Sequence, residues 1–290
     1  MSSLWSVSVD LDGIGCYAAI HGLPEPLEDR ARRAVPHVAL ERLCELFDAL
    51  PVKATLFVIG REAGIYPQGL RAAAAAGHEI ASHSFAHHYG MSRWPKERIS
   101  DDLQRCEDEL ATLGLPLPRG FRAPGYTLSN SLLQAVSERG YLYDSSLLPS
   151  PPYYAAKAAA MGLQRLTGRK SHSILGPVGQ LFARRGAHFR QGVRELPIST
   201  TPLLRAPVIG TSVLALPWLA RAGAASGHFN LELHGIDALD ATDVPADVAA
   251  RQPGIALPAK EKLARLRALL KSLPGEGITL AAAAERLLPH

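Results

Sequence analysis

The sequence has no long apolar run and no recognisable export signal. Spanning a membrane takes about 20 apolar residues in a row, and the best candidate, residues 207–219, is short and interrupted by Pro217. The first residues lack the basic start of a signal peptide, and Trp5, Val7 and Val9 alternate as they would in a strand. We therefore expect a cytoplasmic protein.

Cysteine is also scarce. The three cysteines, Cys16, Cys44 and Cys106, are odd in number, widely spaced and without a Cys-x-x-Cys pair. This pattern excludes a disulfide framework and a zinc ribbon, and it is typical of reduced thiols inside the cell.

Acidic residues are missing from one segment. Between Ser145 and Arg194 there is no Asp or Glu but there are eight Lys and Arg. The net charge of the chain is +4, and without those eight residues 23 basic side chains would face 27 acidic ones. The positive charge is therefore concentrated in this segment. The sequence shows no nucleic-acid recognition module that would use it.

Strand-like and helix-like patterns alternate along the chain. Strands are predicted at residues 4–10, 53–59, 78–82, 141–144, 195–198, 228–234 and 277–280, with a short one ending at Arg122, and helices at 35–50, 61–76, 95–113, 129–139, 155–166, 258–273 and 281–288. Repeated β-α units predict an α/β fold with a mostly parallel sheet, closed as a barrel or open and doubly wound. We expect one domain over residues 1–290, with insertions at 145–194 and 203–227.

Polar clusters follow several of the predicted strands. They are Asp10 with Asp12, His83 with His87, Arg122, Asp144 and His234. The carboxyl ends of parallel strands share one edge of a sheet, so these side chains are expected to converge there.

Two of these clusters suggest a metal site. His83 and His87 are four residues apart, so on a helical turn both rings would face the same way. Two imidazoles and one carboxylate are a common ligand set for catalytic Zn²⁺. Asp10 and Asp12 lie two apart on an extended segment, so one can ligate while the other acts as a base. A histidine pair alone would fit a helix surface equally well, but the pair combined with Asp-x-Asp favours a metal.

The ordered motifs resemble those of the NodB-type polysaccharide deacetylase family. They are Asp-x-Asp-Gly at residues 10–13, His83-Ser84 with His87, Arg-x-Pro-Gly at 122–125, Tyr-Asp-Ser-Ser at 143–146 and Leu-x-Leu-His at 231–234. Each motif alone is weak, but five in order are specific. The resemblance covers roughly residues 4–145 and 228–288.

The resemblance implies a single-domain distorted (β/α) barrel of the NodB type that carries an inserted cap over residues 145–227. It also implies that Asp12, His83 and His87 hold a divalent metal, most commonly Zn²⁺. Such a metal lowers the pKa of a water molecule and polarises an amide carbonyl.

The remaining roles are likewise implied by the family. Asp10 would be the general base, held by a charge-assisted bond from Arg122. The backbone N–H of Tyr126 would help to stabilise the oxyanion. His234 would be the general acid that protonates the departing amine.

The sequence also departs from the family pattern. Leu11 separates two aspartates that are usually adjacent, so the roles of Asp10 and Asp12 could be exchanged. Pro124 and Asp144 are assigned with Tyr126 to the substrate and oxyanion group. Asp144 either supports the acid or satisfies backbone N–H groups at a strand end.

Three interpretations of the basic segment remain open. It could be a solvated cap over the barrel, a lid that binds an anionic or phosphate-bearing substrate, or a patch over residues 157–194 that contacts the inner face of a membrane. The last two would suit a small-molecule or lipid-linked sugar.

The sequence predicts a metal-dependent hydrolase that removes an acetyl or formyl group from an amino sugar, acting on a carbon–nitrogen bond other than a peptide bond. One alternative is a hydrolase of small linear or cyclic amides, which would need a closed cavity instead of an open groove. Another is a non-catalytic, metal-stabilised carbohydrate-binding protein. The oligomeric state is not predicted.

Overall fold

A computed structural model provides the fold and describes residues 3–26, 28–224 and 228–289. The strands are β1 (Leu4–Asp10), β2 (Thr55–Val58), β3 (Glu79–Ser82), β4 (Gly120–Phe121), β5 (Tyr143–Asp144), β6 (His188–Arg190), β7 (Val193–Glu195), β8 (Phe229–His234) and β9 (Glu276–Gly277). The α-helices are α1 (Ile14–Ile20), α2 (Asp29–Arg33), α3 (Leu40–Asp48), α4 (Gly60–Ala63), α5 (Pro67–Ala75), α6 (Lys96–Thr112), α7 (Asn130–Glu138), α8 (Pro151–Leu166), α9 (Gly210–Ala215), α10 (Trp218–Gly223), α11 (Ala246–Ala249), α12 (Ala259–Ser272) and α13 (Leu280–Leu287).

The strands form one curled sheet. Their order is β6-β7-β5-β4-β3-β2-β1-β8, and β9 pairs with the start of β1. The pairs are parallel except for the antiparallel pair of β6 and β7. Beyond β7 the chain reaches β8, where the N–H of Ser199 donates to the carbonyl of Asn230 at 3.0 Å. The predicted α/β class and distorted (β/α) barrel are confirmed.

In β1, the alternation of apolar and polar residues does not separate a buried face from a solvent-exposed face. Val7 and Val9 pack in the apolar core, whereas Ser8 lies on the other face of the strand and is also fully buried. The hydroxyl of Ser8 donates to the side-chain oxygen of Asn230 at 3.1 Å. The inside of the barrel is therefore lined by polar groups that bond to one another, as buried polar groups must.

Helices α6 and α7 form where the sequence predicts them. Ile99, Leu103 and Cys106 lie on the buried face of α6, as their spacing of three and four residues requires. Ser129 caps α7 by accepting a hydrogen bond from the N–H of Leu132 at 3.2 Å.

Three predicted helices have different bounds. The helix expected at 61–76 is divided into α4 and α5, because the first turn of α5 begins at Pro67, which cannot continue a preceding helix. The helix expected at 35–50 begins with a π-helical turn, Ala34–Ala39, before α3. Helix α8 starts at Pro151 instead of residue 155, since prolines suit the first turn and Ser150 caps it.

The inserted segment contacts the barrel through α8. The hydroxyl of Tyr154 donates to the carbonyl of Tyr126 at 3.1 Å, and the amine of Lys157 donates to the carbonyl of Gly125 at 3.2 Å. In the second insertion, 203–227, the chain forms α9 and α10, and its last three residues lie outside the described residues. Within the described ranges, no helix combines the length and apolar character that crossing a bilayer requires.

Candidate active site and metal centre

The strand register brings the predicted residues to one edge of the sheet. Asp10 is paired with His234 across β1 and β8. Ser82 is paired with Phe121 across β3 and β4, so the residues that follow them, His83 and Arg122, are neighbours. Polar residues separated by more than 200 positions in the chain therefore meet at one place, as expected for the carboxyl ends of parallel strands.

Asp12, His83 and His87 converge on one point. Oδ1 of Asp12 lies 3.2 Å from Nε2 of His83 and 3.2 Å from Nε2 of His87. One ligand-type atom from each residue lies within 4.8 Å of the others, and all three side chains are buried. The site has the composition of a catalytic zinc site, with two imidazoles and one carboxylate.

The two histidines reach this point from a loop, so the expected helical turn is wrong. Ser84 and His87 adopt positive φ angles of 65° and 48°, which are uncommon for residues other than glycine. The loop is held by the carboxylate of Asp102 on α6, which accepts from the N–H groups of Phe85 at 2.8 Å and Ala86 at 3.2 Å. A distant carboxylate thus fixes the backbone that directs both rings.

The second nitrogen of each histidine is also engaged. Nδ1 of His83 lies 2.7 Å from the carbonyl oxygen of Arg122. Nδ1 of His87 lies 3.3 Å from Sγ of Cys16, a thiol whose pKa burial raises well above its usual value. Partners of this kind orient ligating imidazoles and leave Nε2 free for a metal. The buried thiol of Cys16 therefore contacts the ring of a candidate metal ligand.

The electrostatics of the trio fit a bound cation. Burial alone would raise the pKa of Asp12, but the imidazoles of His87 and His83 hold this pKa well below its usual value. Burial lowers the pKa of His87, so the neutral form of its ring is favoured. Oδ1 of Asp12 and Nε2 of His87 are buried without a hydrogen-bond partner among the described residues. An anionic carboxylate and a buried imidazole nitrogen without a hydrogen-bond partner are donors of the kind that a divalent metal requires.

Asp10 is held by Arg122. Nη1 of Arg122 donates to Oδ1 of Asp10 at 2.6 Å, and both side chains are almost completely buried. The guanidinium also donates to the hydroxyl of Ser8 and to the carbonyl and hydroxyl oxygens of Ser145, at 2.9 to 3.0 Å. Oδ2 of Asp10 lies 3.7 Å from Nε2 of His83. The contact expected between Arg122 and Asp10 is present, and it places the second carboxylate beside the metal-binding trio.

His234 lies between an acidic residue and a hydroxyl. Its Nδ1 is 2.9 Å from Oε1 of Glu232, and its Nε2 is 3.3 Å from the hydroxyl oxygen of Tyr126. Burial would lower the pKa of His234, but the carboxylate of Glu232 outweighs this and raises the pKa well above its usual value. The imidazolium form that a general acid requires is therefore stabilised.

The backbone N–H of Tyr126, which was expected to stabilise the oxyanion, forms a hydrogen bond within a turn. It donates to the carbonyl of Ala123 at 3.1 Å inside the 3₁₀ turn Pro124–Tyr126. Because the turn uses this N–H, the hydroxyl of Tyr126 is the group that this residue presents to the site. Pro124 is buried and shapes the turn.

Asp144 does not support His234. Its carboxylate accepts hydrogen bonds from the hydroxyl of Ser146 at 2.6 Å and from the N–H of Ser146 at 3.1 Å. Burial raises the pKa values of both Asp144 and its neighbour Glu195, so a proton between the two carboxyl groups is favoured. Asp144 therefore satisfies the donors of Ser146 at the end of β5, and β5 and β8 are not neighbours in the strand order. Its assignment to the substrate and oxyanion group stays a prediction.

A cavity of about 580 Å³ opens over the site. Its lining includes Asp10, Asp12, His83, Tyr126 and His234 from the barrel. The inserted segment adds Tyr153, Lys157 and Ser173, none of which the sequence assigned to the site. Tyr153 and Lys157 share one face of α8, but the helix predicted from the sequence begins at residue 155 and does not include Tyr153.

Comparison with known proteins supports the resemblance. Residues 34–143 match the family model described as polysaccharide deacetylase. The chain is 26% identical to a peptidoglycan deacetylase of Helicobacter pylori over 154 residues, which are 52% of this chain and 52% of that protein. It is 30% identical to a peptidoglycan deacetylase-like protein of Gibberella zeae over 112 residues, 38% of this chain and 33% of the other. The match therefore spans about half or less of these relatives.

Solved structures share the fold over almost the whole chain. A crystal structure from Mycobacterium smegmatis, provisionally named a polysaccharide deacetylase, has a TM-score of 0.63 at 18% identity and covers 98% of this chain and 89% of that one. Puue allantoinase has a TM-score of 0.58 at 16% identity, with coverages of 99% and 91%. At these identities the likeness concerns the fold alone.

The matched segment contains β2, β3 and β4 with the histidine loop and the Arg122 motif, and it ends at the first residue of β5. The remaining motifs lie on β1, β5 and β8 of the same barrel. The matched segment, the ordered motifs and the barrel together agree with the resemblance to the NodB-type polysaccharide deacetylases.

Proposed function

We propose that this protein is a metal-dependent hydrolase that removes an N-acyl group from an amino sugar. The observation that supports the proposal most directly is that the carboxylate–imidazole trio, a candidate general base and a candidate general acid lie together at one cavity. Asp10 and His234 occupy paired positions on adjacent strands, beside the trio. The names of the matched relatives, which are peptidoglycan deacetylases, support the substrate class.

The residues at and just after the ends of β1, β3 and β4 would activate water. Asp12, His83 and His87 would hold a divalent metal, for which we propose Zn²⁺, and this metal would supply Lewis acidity toward a water molecule and an acyl carbonyl. Asp10 would accept the proton of the attacking water. Arg122 orients Asp10 through the bond between the two side chains.

The residues on β8 would release the amine. An amine leaves poorly until it is protonated, so a general acid is required. His234 would donate this proton from Nε2, the nitrogen that faces Tyr126, while Glu232 holds the opposite nitrogen. The hydroxyl of Tyr126 would donate to the oxygen that becomes negative as water adds to the carbonyl.

The open shape of the cavity favours an amino sugar over a small cyclic amide. Ser173 lines both this cavity and a neighbouring groove of about 780 Å³, so there is space beside the cavity for parts of a substrate larger than one amide. A purely carbohydrate-binding role would not require the buried Arg122–Asp10 pair beside the trio, because burying charges is costly. We propose a cytoplasmic enzyme that meets a small-molecule or lipid-linked sugar, in the second case at the membrane surface.

Acyl release tests the proposal. Purified protein should release acetate or formate from N-acetyl or N-formyl amino sugars, lose this activity after chelation and regain it on addition of Zn²⁺. Activity that persists unchanged in thoroughly chelated protein would refute the role of a metal. Absence of acyl release from amino sugars, together with cleavage of a small amide such as allantoin, would favour the alternative.

Glu232→Gln should alter the pH dependence of this activity. His234 must be protonated to act as the acid, so kcat falls as the pH rises through the pKa of His234. Removing the Glu232 carboxylate lowers that pKa, since this carboxylate is what raises it. The alkaline limb of the kcat profile should therefore move to lower pH, with a loss of about 10-fold or more at pH 8. Glu276→Gln, at an exposed ion pair, is the control, and an unmoved limb would contradict the role of Glu232.

A further inference from the structure

The proposed active site continues into a groove that none of its catalytic residues occupies. The groove lies between α8 and the segment 168–175 and has a volume of about 780 Å³. Ser173 is buried and lines both the groove and the active-site cavity. The groove and the cavity therefore adjoin at this residue.

The fold of the C-terminal end of α8 creates this groove. Gly168 has a φ of 74°, and the N–H groups of Gly168 and Arg169 donate back to the carbonyls of Arg165 and Gln164. This is the hydrogen-bond pattern of a Schellman cap, which ends a helix and turns the chain back. The N–H of His172 then donates to the carbonyl of Ala19 at 3.2 Å, so the returning segment is fixed against α1.

The groove is strongly cationic. Arg93, Arg165, Arg169 and Lys170 line it, and its lining includes the hydroxyl-bearing Ser171 and Ser173 but no carboxylate. Among the residues that the structure describes, these four cations make no ion pair or side-chain hydrogen bond. Their positive potential is thus not neutralised by a neighbouring acid, and a concave cationic surface concentrates anions.

A further cation connects the groove with the catalytic cavity. Lys157, Met161 and Arg165 are spaced four residues apart, so they share one face of α8. Lys157 lines the cavity and Arg165 lines the groove. Burial lowers the pKa of Lys157 to about 8, and a bound anion would raise this pKa again. Cationic side chains of α8 therefore line both the cavity and the groove.

We propose that this groove binds a phosphoryl group of the substrate, held by Arg165, Arg169 and Lys170. This inference rests on the proposed function, and it narrows the substrate to an N-acyl amino sugar that carries phosphate. Guanidinium groups suit phosphate because they donate two parallel hydrogen bonds.

The phosphate could belong to a soluble sugar phosphate or to a lipid. Apolar side chains also line the groove, namely Met161, Ile174 and Leu175, and Leu175 is 40% exposed. Exposed apolar groups beside cations also fit the headgroup region of an anionic membrane. Because a soluble sugar phosphate and a lipid would present the same phosphate group, the experiment must test the two separately.

Binding of matched probes tests the groove independently of turnover. N-acetylglucosamine 1-phosphate, N-acetylglucosamine and inorganic phosphate would be titrated calorimetrically into the full chain carrying Asp10→Asn, which prevents hydrolysis. The phosphorylated sugar should bind at least about tenfold more tightly than the plain sugar. The triple variant Arg165→Ala, Arg169→Ala, Lys170→Ala should lose this preference. The control Lys260→Ala, Arg267→Ala, Lys271→Ala removes the same charge from α12 and should keep it.

Vesicle flotation separates the two sources. If a lipid headgroup supplies the phosphate, phosphatidylglycerol vesicles should recruit the wild type more strongly than phosphatidylcholine vesicles do, and added salt should weaken this recruitment. The triple variant should remain unbound. Preference for the sugar phosphate without recruitment assigns the groove to a soluble substrate.

Equal binding of both sugars combined with no vesicle recruitment would overturn the proposal, as would a triple variant that behaves like the wild type. Failure of acyl release with retained phosphate preference would instead refute the proposed function and leave the groove assignment standing.

Discussion

Asp10→Asn is expected to lower kcat for acyl release by about 10²- to 10⁴-fold, the usual contribution of a general base. Asparagine keeps the shape of the side chain and still accepts a hydrogen bond from Arg122, but it cannot take a proton from water. Metal content should remain that of the wild type, because the trio of Asp12, His83 and His87 is unchanged. Steady-state kinetics and metal analysis of the same preparation measure both quantities.

Asp144→Asn provides the matched control for that variant. Asp144 is also a buried carboxylate at a strand end, but its partners are Ser146 and Glu195. Its neutralisation should leave kcat within a few-fold of the wild type. Full turnover by Asp10→Asn would mean that another group takes the proton, and Asp12, separated from it by Leu11, would be the first candidate.

Arg122→Met should have the largest effect on stability. Arg122 is completely buried, and its guanidinium satisfies Asp10, Ser8 and Ser145. Removing it leaves the Asp10 carboxylate charged and unpaired in the barrel, which typically costs about 3–5 kcal/mol. Denaturant unfolding should report a decrease of this size in the free energy of unfolding.

Two further variants separate the charge effect from simple loss of packing. The double variant Asp10→Asn, Arg122→Met removes both charges and should recover part of the lost stability, because no unpaired ion remains. Arg286→Met breaks the exposed pair with Glu276 and should cost far less. A cost for Arg122→Met no larger than that for Arg286→Met would contradict the importance of the buried pair.

Much of the fold follows from local sequence signals. β1 has the predicted bounds, 4–10, because its alternation and the following Asp-x-Asp-Gly both mark a strand end. The amphipathic pattern at 95–113 predicts α6 to within one residue at each end. Convergence at the edge of the sheet followed from the general geometry of parallel strands, so the grouping of Asp10, Asp12, His83, His87 and His234 could be predicted.

Other features depend on contacts between distant residues. The spacing of His83 and His87 is equally compatible with a helix and with a loop, and only the carboxylate of Asp102 decides for the loop. The Ala-rich stretch favoured one long helix at 61–76, although Pro67 divides it.

The order of the motifs does not identify the side chain that contacts His234. Asp144 belongs to a recognised motif, but the sheet topology places β5 away from β8, and Glu232 takes the contact from within the same strand. Lys157 belongs to the site only because α8 folds back onto the turn at Gly125. The contact of Lys157 leaves no local signal in the sequence, whereas Glu232 and His234 are two apart on one strand and therefore share a face.

The most direct test of the central claim is the metal stoichiometry of the wild type beside Asp12→Asn and Asp10→Asn. Metal-free protein would be titrated with Zn²⁺ by calorimetry, with His88→Ala as a control because His88 adjoins His87 but does not belong to the trio. The account predicts one equivalent of tightly bound Zn²⁺ for the wild type, Asp10→Asn and His88→Ala, and its loss in Asp12→Asn. Undiminished Zn²⁺ binding by Asp12→Asn would contradict the assignment of the metal centre.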